Sequence, residues 1–157
     1  MDAKPPLLES YIDLQEQVQG NGIDLTLREV AMMQSEGRLA ASNAQRYIPL
    51  LAPLAFDTSG YMHLMPGPYI ITYNEIVNLP KDIMALGAPR SSVLRCGVTI
   101  ETAVWDAGYS GRSQSLMTVH NPAGFHIQQN ARVMQLVFFR LTRETEGYRG
   151  KYQGENR

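Results

Sequence analysis

Apolar residues recur at three- and four-residue steps near the start of the chain: Leu7, Leu8, Tyr11, Ile12, Leu14 and Val18. That period lines one side of a helix and predicts a short amphipathic helix over residues 6–19. Gly20-Asn21-Gly22 ends it. The period then drops to two. Ile23, Leu25 and Leu27 alternate with Asp24, Thr26 and Arg28, the pattern of a strand with one polar face. Further short apolar or alternating runs cover 61–65, 69–73, 98–102, 115–120, 125–128 and 133–141. Turn residues separate them: Ser59-Gly60, Pro66-Gly67-Pro68, Asn78-Leu79-Pro80, Gly97, Gly108 to Gly111, Asn121-Pro122 and Asn130. Many short strands with frequent turns predict an all-β barrel or sandwich with one or two short helices. No second long helical period exists, which weighs against a parallel α/β sheet. Residues 40–58, rich in Ala, Leu and Pro, read as a long irregular excursion. Residues 89–97, with proline before and glycine after, read as one or two helical turns. The tail, residues 142–157, lacks apolar spacing and is expected to be mobile when nothing is bound. No repeat or linker divides the chain, so a single domain is expected over residues 1–157.

The chain has 157 residues, 44% hydrophobic, with net charge −1. That is enough for one core. The near-neutral charge points away from a nucleic-acid-coating protein, so an anionic ligand must be held by local arginines. The single cysteine, Cys96, excludes a disulfide framework and a multi-cysteine metal site. The first residues carry charges inside their only apolar section, unlike a signal peptide. No run of about 18 apolar residues exists to span a membrane. These features fit a cytoplasmic protein without a membrane partner.

Four segments hold candidate chemistry. The stretch AVWDAGYSGR, residues 103–112, has one carboxylate, Asp106, followed by Gly108, Tyr109 and Gly111 and closed by Arg112. It reads as a plain hairpin turn or as a loop holding a carboxylate against a phosphate ester or anhydride. In PRSSVLR, Arg90, Ser91, Ser92 and Arg95 suit either a capped surface helix or an anion site, since arginine forks match phosphate oxygens. In ARVMQLVFF, Gln135 interrupts an apolar strand, as a satisfied core amide or as a ligand to phosphate. The tail EGYRGKYQGEN reads as a solvated terminus or as a flap. In the flap reading Tyr148 or Tyr152 covers a base while Arg149 and Lys151 reach phosphates. His63, His120 and His126 have no metal-ligand spacing.

Five blocks in order carry a resemblance: NGIDLTL (21–27), PRSSVLR (89–95), AVWDAGYSG (103–111), ARVMQLVF (131–138) and YRGKYQGEN (148–156). Together they resemble the trimeric dUTPase and dCTP deaminase superfamily, most of all the archaeal-type, deaminase-like dUTPases. The resemblance implies a β-barrel or jelly-roll-like protomer that assembles as a homotrimer with active sites between subunits. It implies hydrolysis of dUTP to dUMP and pyrophosphate with Mg²⁺, which arrives through the substrate phosphates and water. Asp106 then activates the water that attacks the α-phosphorus. Arg90, Ser91, Ser92 and Arg95 hold phosphates of a nucleotide bound mainly by the next subunit. The hairpin through Thr102, Ala103 and Trp105 reads uracil with its backbone. Tyr109 packs on the deoxyribose and leaves no room for a 2′-hydroxyl. Gln135 contacts a phosphate or closes the base pocket. Arg149, Lys151, Tyr152 and Gln153 close over the triphosphate. Asp24, in the first block, is expected to be structural or to support the site rather than to be catalytic.

Zinc-free dCTP deaminases of this superfamily use a glutamate on the strand after the aspartate turn. Here its position falls on Leu116 or Thr118, and no Asp or Glu lies between Asp106 and Glu144. Asp106 is therefore expected to be the only acid at the site. The alternatives are dCTP deamination, alone or combined with dUTP hydrolysis, and a non-catalytic regulator that binds deoxynucleotides.

Overall fold

A computed structural model describes residues 5–157. The chain begins with β1 (Leu8–Glu9), α1 (Leu14–Gln17), β2 (Val18–Gln19), the long β3 (Gly22–Met33) and a 3₁₀ turn (Asn43–Gln45). It continues through β4 (Leu51–Pro53), β5 (Tyr61–Leu64), β6 (Gly67–Tyr73), β7 (Ile76–Asn78), β8 (Ile83–Pro89) and α2 (Ser91–Arg95). It ends with β9 (Val98–Glu101), β10 (Ser110–Gly111), β11 (Gln114–Val119), β12 (Phe125–Gln128) and β13 (Arg132–Arg140). The fold is all-β, as the alternation predicts. The main sheet runs β8-β13-β3-β6-β11-β9, with β2 and β4 also paired to β3. Its end strands, β8 and β9, pack on each other, and Ala85 bridges Trp105, so the sheet nearly closes into a barrel. Leu25, Leu27, Ile71, Tyr73, Met117, Met134 and Leu136 fill it, each fully buried. Among the described residues no helix is long and apolar enough to cross a membrane.

The expected helix over residues 6–19 is corrected. Only Leu14–Gln17 is helical, and Leu8–Glu9 instead pairs with β7. The spacing misleads because the stripe has no core to face: Tyr11, Ile12, Leu14 and Val18 are exposed. The buried residue is polar. Gln17 accepts the N–H groups of Ile12 and Asp13, and donates to Asp24 O and to Glu75 Oε1 at 2.7 Å. Glu75 is itself fully buried and also accepts from the N–H (2.9 Å) and hydroxyl (2.6 Å) of Thr26. Desolvation still pushes its carboxyl above the usual range.

Strand β7 and strand β8 lie outside the alternating runs read from the sequence. Gly87 sits inside β8 because a Cβ there would meet Met134 Sδ at 2.5 Å and the Trp105 ring at 3.1 Å. Both ends of the described chain converge on β7. The Asn78 amide donates to Pro6 O and Glu9, and its oxygen accepts from Ser110 and Arg157. Arg157 also reaches Glu9 at 3.3 Å.

Candidate active site

Residues 103–109 leave β9, pair with β8 at Ala85 and turn back into β10. Trp105 is fixed there by its backbone, which exchanges two 3.0 Å bonds with Ala85. Its indole N–H donates to Ser113 Oγ at 2.9 Å. Trp105 N–H and C=O are therefore spent, while Ala103 and Val104 keep free backbone groups among the described residues. The next residues form a β-turn in which Tyr109 N–H donates to Asp106 O at 3.0 Å. Gly108 takes φ +84°, the left-handed conformation that favours glycine. This turn leaves the Asp106 carboxylate exposed, with no ion-pair partner among the described residues.

A cleft of about 410 Å³ opens beside it. Ala103, Val104, Trp105, Asp106, Tyr109, Ser113 and Gln114 line it. Ile48, from the irregular excursion, and Tyr148, Tyr152 and Glu155, from the tail, close the rest. Tyr109 is buried and packs edge-on to Tyr148, with ring centroids 5.7 Å apart. Burial first, then the bond to Glu155, push its phenol well above the ordinary range. Thr102 is half-buried just after β9.

The expectation of a single acid is corrected, because Glu155 lies in the cleft. Its Oε1 accepts the Tyr109 hydroxyl at 2.8 Å, and burial raises its carboxyl above the usual range. Sequence order hid it, since the two residues stand 46 positions apart. Strand β11 carries no carboxylate of its own, and Leu116 stands opposite Glu101 on β9.

The tail lies on the barrel. Gln153 accepts the Ser110 N–H at 3.0 Å and donates to Gly108 O at 3.1 Å. Its amide therefore grips the turn. Arg149 pairs with Glu146 at 3.1 Å, and Lys151 and Arg46 stand over the Tyr152 ring. Arg149 and Lys151 are otherwise exposed.

The remaining expected residues gather elsewhere. Arg90 caps α2, its Nε is 3.0 Å from Asp24 Oδ2, and its Nη1 donates to Arg132 O. Arg132 also approaches Asp24, at 3.6 Å. Burial raises the Asp24 carboxyl against the pull of both arginines. Gln135 pairs across the sheet with Asp24 and so shares its face. Ser91, Ser92 and Arg95 are exposed on α2. From Ala85, which bridges Trp105, to Arg90 the chain advances five residues, roughly 16 Å at about 3.3 Å per residue. None of Arg90, Ser91, Ser92, Arg95 and Gln135 lines the cleft beside Asp106.

Among the described residues no group of three His, Cys, Asp or Glu gathers to cage a metal. The exposed oxygens of Asp106 suit a hydrated Mg²⁺ carried by phosphates, since that ion keeps several waters and takes one or two carboxylates.

A family model described as dCTP deaminase-like matches residues 7–141. A Methanosarcina mazei protein named "probable deoxyuridine 5′-triphosphate nucleotidohydrolase" is 50% identical over 155 residues, 98% of this chain and 91% of its own. The Methanocaldococcus jannaschii protein named deoxyuridine 5′-triphosphate nucleotidohydrolase is 35% identical over 142 residues, 89% of each chain. The solved 2′-deoxycytidine 5′-triphosphate deaminase of Agrobacterium tumefaciens has a similar fold, with TM-score 0.64 at 22% identity, covering 84% of this chain and 43% of that one. The nearly closed barrel, the turn that presents Asp106 and the match across most of the sequence agree: the chain belongs to the dCTP deaminase-like family.

Proposed function

We propose that the protein hydrolyses dUTP to dUMP and pyrophosphate, with Asp106 taking a proton from the attacking water. One observation carries this reading: in a chain half-identical to a named dUTP nucleotidohydrolase, an exposed, unpaired aspartate stands on the rim of an aromatic cleft. The free backbone groups of Ala103 and Val104 supply donors and acceptors for uracil. Tyr109, held from both sides by Tyr148 and Glu155, forms a rigid wall against the sugar. A positioned base of this kind is worth about 10²–10⁴ in rate. Mg²⁺ on the triphosphate supplies charge neutralisation for the pyrophosphate leaving group. The direct test is incubation with Mg²⁺ and dUTP, dCTP, dTTP or UTP separately, with every product identified. dUMP and pyrophosphate from dUTP are expected. Absence of both refutes the proposal.

The separation of Arg90, Ser91, Ser92, Arg95 and Gln135 from the cleft supports a homotrimer in which these residues of one subunit meet the cleft of the next. Arg95→Met and Asp106→Asn chains, each inactive alone, should recover activity when co-expressed and assembled together. No recovery in confirmed mixed oligomers would exclude shared sites.

A second reading, dCTP deamination, draws on Glu155. A carboxyl in a desolvated cleft with a raised pKa suits acid–base work on a ring. Ammonia from dCTP that disappears in Glu155→Gln, while pyrophosphate release from dUTP persists, would establish it.

A further inference from the structure

Arg112 closes the stretch that presents Asp106, yet the chemistry above gives it no task. It is buried, and among the described residues no carboxylate pairs with it. Burial and the nearby Arg28 disfavour its charge, with Glu75 acting in its favour. A buried cation of this sort needs oxygen partners. Its Nε donates to Asn74 O at 3.0 Å, and its Nη1 donates to Asn156 O at 2.6 Å. Its main-chain N–H donates to Glu155 O at 2.9 Å, and its carbonyl accepts from Asn156 Nδ2 at 2.9 Å. Three of these four bonds therefore end on tail residues. One step earlier, Gly154 N–H donates to Ser110 O at 2.7 Å. The tail thus runs along the free edge of β10, whose other edge pairs with β7. Asn156 adopts φ +51°, a left-handed turn that brings both its side chain and its carbonyl to Arg112.

We propose that Arg112 is a positioning residue that clamps the C-terminal segment shut, so that Tyr148, Tyr152 and Glu155 complete the cleft. Its guanidinium links the Asn74 turn to the last turn of the tail, and its peptide group adds two more tail bonds. The bonds between the guanidinium and carbonyls are charge-assisted, so losing the tail-facing one should open the tail on the order of tenfold more often. The kinetic part of the test rests on the dUTP reading, and the structural part does not.

Two variants test the clamp from opposite sides. Arg112→Met removes the guanidinium at similar length. Asn156→Pro leaves the barrel intact but forbids the positive φ and the amide bond. Native-state trypsin digestion followed by mass spectrometry reads nicking after Arg149 and Lys151. Steady-state kinetics with dUTP and Mg²⁺ reads KM and kcat. Both variants should be nicked about tenfold faster, with KM raised about tenfold and kcat moving less. Parental nicking in Asn156→Pro overturns the clamp even where Arg112→Met disturbs folding. Faster nicking with an unchanged KM also overturns it, because the closed tail would then not shape the cleft. A protein that turns over no dUTP refutes the hydrolase reading instead, while the nicking rates still decide the clamp.

Discussion

Replacing Asp106 by Asn separates chemistry from architecture more cleanly than any other change in this protein. The side chain is exposed and has no ion-pair partner among the described residues, and the turn is closed by its main-chain oxygen, which Asn keeps. An exposed substitution of this type stays within about 0.5 kcal/mol of the parent's stability. For a domain of this size that is a melting shift of roughly 2 °C or less. The chemical loss is far larger. Removing a general base costs about 10²–10⁴ in rate, or roughly 2.7–5.4 kcal/mol of barrier at 1.36 kcal/mol per tenfold. The assay is pyrophosphate release from dUTP at saturating Mg²⁺, beside a thermal melt. Calorimetric binding of a non-hydrolysable dUTP analogue to parent and variant completes it. The expected result is a loss of at least about a hundredfold in kcat, with binding and melting nearly unchanged. Turnover within about threefold of the parent would remove Asp106 from the mechanism. A parallel loss of analogue binding would make it a binding group instead.

Gly108→Ala should disturb the tail, because its Cβ would fall 2.7 Å from Gly147 Cα and 2.9 Å from Tyr148 N. The left-handed φ adds about 1–2 kcal/mol of strain; KM for dUTP should rise, and an unchanged KM counts against tail contact. Gly22→Ala places a Cβ 2.1 Å from Leu136 O, a backbone atom, and should cost about 1–3 kcal/mol in urea unfolding. Glu155 has a raised carboxyl in the docked tail, so a bound proton favours docking. Docking is then strongest below the ordinary glutamate range and weakens as pH rises through the raised value. Acrylamide quenching of Trp105, the single tryptophan, should increase as pH rises above the ordinary glutamate range in the ligand-free protein and flatten in Glu155→Gln.

Local signals were legible and distant ones were not. The alternation over 125–128 and 133–141 became β12 and nearly all of β13, and proline and glycine around α2 bounded it well. The segment 6–19 failed because helical spacing reports only where a core is available, and this stripe faces solvent. β8 was hidden by Gly87, which is there to admit Met134 and Trp105, contacts that no local window contains. The blocks that carry Asp106 and Tyr109 were visible in order, and the structure brings both to one cleft with Trp105 and Tyr152. Arg112 and Glu155 lie in the same candidate segments, but their roles could not be read from them. Their partners lie 44 and 46 positions along the chain, and neither sits in a periodic pattern.

The meeting of Glu9 and Arg157 on Asn78 has a practical consequence for engineering. A short glycine linker could join those segments, with new termini opened in the exposed 3₁₀ region around Asn43–Gln45. Such a circular permutant would tether the flap covalently, whereas a purification tag fused after Arg157 would pull on the very contacts that seat it.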